Sequence, residues 1–161
     1  MRGSSFERPL VTVRGDGNCL YYSLMAGLVL MNHPRRPRNA KALKKQLLTY
    51  IEEHGRVDQR ILFVMQGLDH DRWLAEHHRP NAWGDEVVIV AFTRLYQDIR
   101  LECISKSRLG YHSQIFNEHA TTTMVIGTDQ RHFNLITCLC PRAYDLSRAV
   151  DYNYKSKIRW V

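Results

Sequence analysis

Gly15-Asp16-Gly17-Asn18 is a dense turn signal, and directly after it the chain runs Cys19 to Met31 as CLYYSLMAGLVLM. No other feature constrains the fold as much. The run is long and apolar enough for a helix, and a helix without a polar face belongs inside a core. His33 to Asn39 ends it, because Pro34 and Pro37 cannot continue a helix. The chain has 161 residues, 44% of them hydrophobic. That suits one compact domain around such a helix and leaves little room for a second.

The other segments supply layers for that core. Ala40 to Ile51 places Leu43, Leu47, Leu48 and Ile51 at helical spacing, with Lys41, Lys44 and Lys45 on the opposite side. Leu68 to His78 reads as a short helix with Asp69 or Asp71 near its start. After Trp83-Gly84-Asp85-Glu86 comes VVIVAFTRLY. Its β-branched residues argue for a strand, whereas its length and acidic start argue for a buried helix. Pro9 to Arg14, Ile99 to Ile104, Thr121 to Ile126 and Phe133 to Leu139 read as strands. Helices early and strands late predict an α+β fold, a small central β-sheet flanked by helices. The expected boundaries are 1–8 as a leader, vector-like in its first four residues, and 9–141 as the domain. Residues 142–161 form an extension that packs on the domain or links onward.

Composition excludes several function classes. No apolar segment is long enough to span a bilayer, and the first residues lack the apolar core of a signal peptide. Four cysteines are too few for a disulfide scaffold, so a reducing, cytoplasmic setting with free thiols is expected. Cys138 and Cys140 make a poor zinc signature beside Cys103, and all three read as core thiols. Lys+Arg number 23 against 16 Asp+Glu, for a net charge of +7. Arg35 to Lys45 concentrates the basic charge, yet no aromatics interleave it. That favours a solvated face over a nucleic-acid site.

Taken alone, Cys19 has two readings, a buried structural thiol after an ordinary turn or a nucleophile, and His132 at a strand end is likewise structural or a base. A glycine turn delivers this thiol to the start of a helix, where partial positive charge and unpaired N–H groups lower a thiol pKa. The same N–H groups, with those of Gly17 and Asn18, can hold an oxyanion, and Gly17 lets backbone approach a carbonyl closely. A thiol nucleophile needs an oriented base. Of eight histidines, His33, His54, His77 and His78 lie in charged, surface-like stretches, and His70, His112 and His119 read as loop residues. His132 differs, because it enters the strand HFNLI. Alternation puts His132 and Asn134 on one face, where Asn134 can orient the imidazole.

GDGNCLYYSL, then the tryptophan box WGDE, then HFNLI, in that order and spanning about Pro9 to Leu139, resemble the ovarian-tumour (OTU) family of cysteine proteases. Most of that family are deubiquitinases. The box departs from the family's usual W-G-G-x-x-E: Asp85 stands where a second glycine is common, and the acid comes sooner. The resemblance implies a nucleophile at Cys19, a general base at His132 and an orienting group at Asn134. It implies that Asp16 supports the oxyanion loop or polarises the histidine. Trp83 and Phe133 are then candidate walls for a narrow glycine-glycine channel, with core packing as their other reading. Asp69, Asp71 and Glu76 are candidates to meet an arginine-rich tail, or else a solvated helix face. The implied reaction needs no metal or cofactor. The implied partner is ubiquitin, polyubiquitin or another ubiquitin-like modifier, met by a monomer. A short basic domain of this kind fits a module cut from a viral polyprotein, a bacterial effector or a eukaryotic enzyme. The competing readings are a ubiquitin-binding pseudoenzyme, motivated by Asn134 and the altered box, and a basic nucleic-acid-binding domain.

Overall fold

The computed structural model describes residues 17–128 and 133–139. Among these residues five helices come first: α1 (Cys19–Leu30), α2 (Ala40–His54), α3 (Gln59–Val64), α4 (His70–His77) and α5 (Glu86–Leu95). Four strands follow: β1 (Ile99–Ser107), β2 (Gly110–Phe116), β3 (Thr122–Thr128) and β4 (Phe133–Leu139). The architecture is α+β, with a mixed sheet in the order β2-β1-β3-β4. The β1–β2 and β3–β4 pairs are antiparallel and the β1–β3 pair is parallel. The expected strand at Pro9–Arg14 and the extension from Arg142 lie outside the described residues.

Helix α1 is the centre. Every residue from Cys19 to Leu28 is buried, and α1 packs against α2 on one side and β3 and β4 on the other. Around it the helices begin where a short polar side chain can replace a missing hydrogen bond. The side chain of Asn39 accepts from Ala42 N, that of Asp58 from Arg60 N and Ile61 N, and that of Asp69 from Arg72 N. Asp85 accepts from Val87 N and Val88 N. That cap decides the ambiguous VVIVAFT segment in favour of a helix. Val87 to Thr93 are all buried, so no half-exposed, alternating strand is available to them.

Two elements have weak sequence signals. The single turn and a half of α3 rests on its Asp58 cap, held from α5 by Arg94 Nε at 2.9 Å and from α2 by Tyr50 Oη at 3.1 Å. Strand β2 is an edge strand with several exposed side chains, so it lacks the apolar alternation by which strands are found. His112, expected in a loop, lies on β2. In β4, Val125 faces Thr137 but Ile126 faces Leu135, so Ile136 is the extra residue of a β-bulge.

Two polar side chains expected at the surface are buried instead. Lys44 is only 5% exposed. Its Nζ donates to Arg79 O at 2.8 Å and sits over the Tyr21 ring, and burial holds its pKa below the ordinary lysine value. His33 is 4% exposed. Its Nδ1 accepts from Arg35 N, its Nε2–H donates to Asp98 at 2.7 Å, and it meets Tyr96 edge-on. Both ring nitrogens are therefore satisfied by one neutral tautomer.

Asn117 ties α5 to the sheet. It takes a left-handed φ of 53°, and its Nδ2 donates to the carbonyls of Thr93, Tyr96 and Ile99. Replacing it with alanine strands those acceptors and forces a Cβ-bearing residue without a compensating side chain into that backbone region. We expect Asn117→Ala to lose about 1–3 kcal/mol of unfolding free energy, measured by denaturant titration.

Candidate active site

The site begins with the turn before α1. Gly17 has φ 89°, a conformation that side-chain-bearing residues avoid. A Cβ there would also collide with the Asn81 carbonyl oxygen. The close approach to a carbonyl expected of Gly17 is thus made to the protein's own loop. Asn18 is buried and occupies the N-cap position of α1, but its side chain makes no cap bond. Its Nδ2 donates to Asn81 Oδ1 at 2.8 Å.

Cys19 is the first residue of α1 and is 1% exposed. The backbone N–H of Phe133 donates to its Sγ at 3.3 Å. A donor aimed at sulfur favours the charged thiolate over the thiol, as does the partial positive charge of the helix start. Phe133 opens β4, pairs with Thr128 and is half-buried against the core. Asn134 follows it and pairs with Gly127. The fold therefore brings Cys19, next to Gly17 and Asn18, together with Phe133 across more than a hundred residues. Asp16 and His132 lie outside the described residues. Trp83 is 50% exposed, so core packing does not account for it. The next residue, Gly84, has no room for a Cβ beside Leu20, which puts the tryptophan box against the first turn of α1.

The box residue that departs from the family pattern has a structural task. Asp85 caps α5 with one oxygen, and its other oxygen receives Trp73 Nε1 at 3.1 Å and faces His77 Nε2 at 3.2 Å. His77 stacks on Trp73 with ring centroids 3.6 Å apart, and its Nδ1 lies 2.8 Å from Trp73 O. His77 is accordingly no surface histidine. Burial alone would lower its pKa, but the hydrogen bonds to Asp85 and Trp73 O and the charges of Asp85 and Glu76 raise it above the ordinary value.

Other candidates are committed elsewhere. Asp69 caps α4, Asp71 pairs with Arg56, and Glu76 pairs with Arg72, so these acids are engaged within the protein. His70 begins α4, and its Nε2 donates to Ile51 O at 3.0 Å. Cys103 is a core thiol on β1 whose pKa is pushed up to about 12 by burial and by the charges of Glu86 and Glu102. It is a poor nucleophile at neutral pH. In the basic run, Lys44 is buried and Arg35 pairs with Asp98.

The family model of the OTU-like cysteine protease matches residues 14–126. The chain belongs to the OTU-like cysteine protease family. Solved OTU domains share its fold. A viral OTU domain protease from Taggert virus superposes with a TM-score of 0.63 at 19% identity, covering 83% of this chain and 81% of that one. The Hazara virus OTU bound to ubiquitin gives 0.60 at 19% identity over 81% and 80%. An OTU deubiquitinase from Wolbachia pipientis wMel bound to ubiquitin gives 0.54 at 17% identity over 78% and 93%. No curated relative matches the chain by sequence.

The His77–Asp85 contact has a pH signature. A raised folded-state pKa adds stability that is complete below the unfolded imidazole value and fades as pH rises through the folded one. We expect the melting-temperature gap between wild type and His77→Ala to be widest near about pH 5–6 and to narrow above the raised pKa. Thermal melts across that range check it.

Proposed function

We propose that the protein is a deubiquitinase, a thiol hydrolase that cuts after the C-terminal glycine of ubiquitin. The observation that carries this reading is the Phe133 N–H donated to Cys19 Sγ. It sets Phe133, which follows His132 in the chain, at the sulfur of a cysteine that opens a helix after a glycine turn. Ubiquitin is named as the bound partner of two related folds, and we extend that partner to this chain. Another ubiquitin-like modifier is the second substrate class for the same chemistry.

In the proposed mechanism the Cys19 thiolate attacks the glycine carbonyl of the isopeptide bond. Backbone N–H groups from Gly17 to Cys19 stabilise the oxyanion, as preorganised donors do in acyl transfer. His132 gives its proton to the departing lysine amine, leaving a thioester on Cys19. It then takes a proton from water, whose oxygen attacks that thioester and releases the ubiquitin carboxylate. Asn134 orients the imidazole by a hydrogen bond without a full charge, so it supports an imidazolium less strongly than a carboxylate would. Asp16 acts on the turn or on the histidine. Half-exposed Trp83 and Phe133 wall the glycine channel.

Polyubiquitin cleavage and an electrophilic ubiquitin C-terminal probe test the reading. Wild type is expected to cleave chains and form the adduct. Cys19→Ala is expected to do neither while melting within a few degrees of wild type. Ubiquitin binding without turnover or adduct would instead assign a pseudoenzyme.

A further inference from the structure

We propose that Asn81 is a positioning residue for the oxyanion turn, setting the Gly17–Asn18 backbone from a loop on the far side of the sequence. The inference rests on the acyl-transfer chemistry proposed at Cys19.

Asn81 faces the turn with two polar groups. Its backbone carbonyl fills the space where Gly17 would carry a Cβ. Its Oδ1 accepts a hydrogen bond from Asn18 Nδ2 at 2.8 Å. The second contact has a consequence for α1. The side chains of Asn39, Asp58, Asp69 and Asp85 cap their own helices, whereas that of Asn18 makes no cap bond and turns to Asn81. The Asn18 side chain therefore supplies no capping oxygen to the first turn of α1. A capping oxygen would compete with a substrate oxyanion for those donors.

Asn81 is itself held. It takes φ 61°, a left-handed conformation that asparagine tolerates better than most residues. Two residues earlier, Arg79 O accepts from the buried Lys44 Nζ. Four residues later, Asp85 anchors the loop to Trp73, His77 and the start of α5. The loop is pinned at both sides of Asn81, so it can impose a geometry on the turn.

Asn81→Gly removes the amide and keeps the carbonyl and the positive φ, and Asn81→Asp restores the Oδ1 acceptor. Three readouts on purified full-length protein separate the roles. The first is kcat and KM for a fluorogenic ubiquitin C-terminal conjugate. The second is acylation of Cys19 by p-nitrophenyl acetate, in which sulfur bonds to the ester carbonyl carbon and p-nitrophenolate leaves through an oxyanion. The third is alkylation of Cys19 by iodoacetamide, a displacement of iodide with no oxyanion. Peptide mass mapping assigns both modifications to Cys19, with Cys19→Ala as background.

Asn81→Gly is expected to lower kcat at least about tenfold with KM within about twofold. Acylation should fall in parallel while alkylation stays near wild type, and Asn81→Asp should recover most of the loss. Unchanged kcat and acylation in a folded Asn81→Gly would overturn the inference. So would an equal loss of acylation and alkylation, which marks a general disturbance of Cys19. If wild type shows no turnover of the ubiquitin conjugate, the deubiquitinase reading fails, and the acylation-to-alkylation ratio still decides the role of Asn81.

Discussion

The whole structure depends on burying α1 from every side. A helix with ten consecutive buried residues has no face to offer water, so helices and sheet must enclose it. Each buried large apolar side chain contributes about 1.5–3 kcal/mol relative to exposure. Enclosure therefore outweighs the local cost of fitting polar groups around its end. Helix α2 covers one side, and β3 and β4 cover the other. Cys19 stands at the N-terminus of this helix, where the positive end of the helix dipole lies. The position of Cys19 and the packing of the core are thus one requirement: the start of β4 reaches Cys19 because β4 is part of the wall that buries α1.

The loop between α4 and α5 links this core to the chemistry. Three of its residues turn polar groups to structural use: Arg79 O to Lys44, Asn81 to the Gly17–Asn18 turn, and Asp85 to Trp73, His77 and the α5 cap. Asp85 in place of the family's second glycine explains itself here. A glycine cannot cap α5 through a side chain, nor can it pair with an imidazolium. The altered box thus exchanges backbone freedom for a three-way anchor, and Trp83 remains half-exposed beside it.

Charge is distributed with equal economy. The net charge of +7 first suggests a polyanion as partner. Yet Lys44 is consumed by a backbone carbonyl, Arg35 by Asp98, Arg94 by Asp58 and Arg56 by Asp71. The acids proposed to greet an arginine-rich tail are used in the same way.

The residues alone determine the α+β class, the buried helix after the glycine turn and the amphipathic α2. These follow from periodicity, apolar length and turn chemistry, which act over a few neighbouring residues. The sequence also carries the family motifs around Cys19, Trp83 and His132. It leaves open whether VVIVAFT is strand or helix, because propensity and length conflict there. Burial on all sides and the Asp85 cap decide it. Strand β2 and helix α3 are illegible for a related reason: an exposed edge strand and a six-residue helix take their stability from partners distant in the chain. Burial of His33 and Lys44, the Trp73–His77–Asp85 clasp, the Phe133 N–H on Cys19 and the contacts of Asn81 with the Gly17–Asn18 turn exist only in the folded molecule. Each joins groups separated by many residues, and only tertiary packing brings such groups within hydrogen-bonding distance.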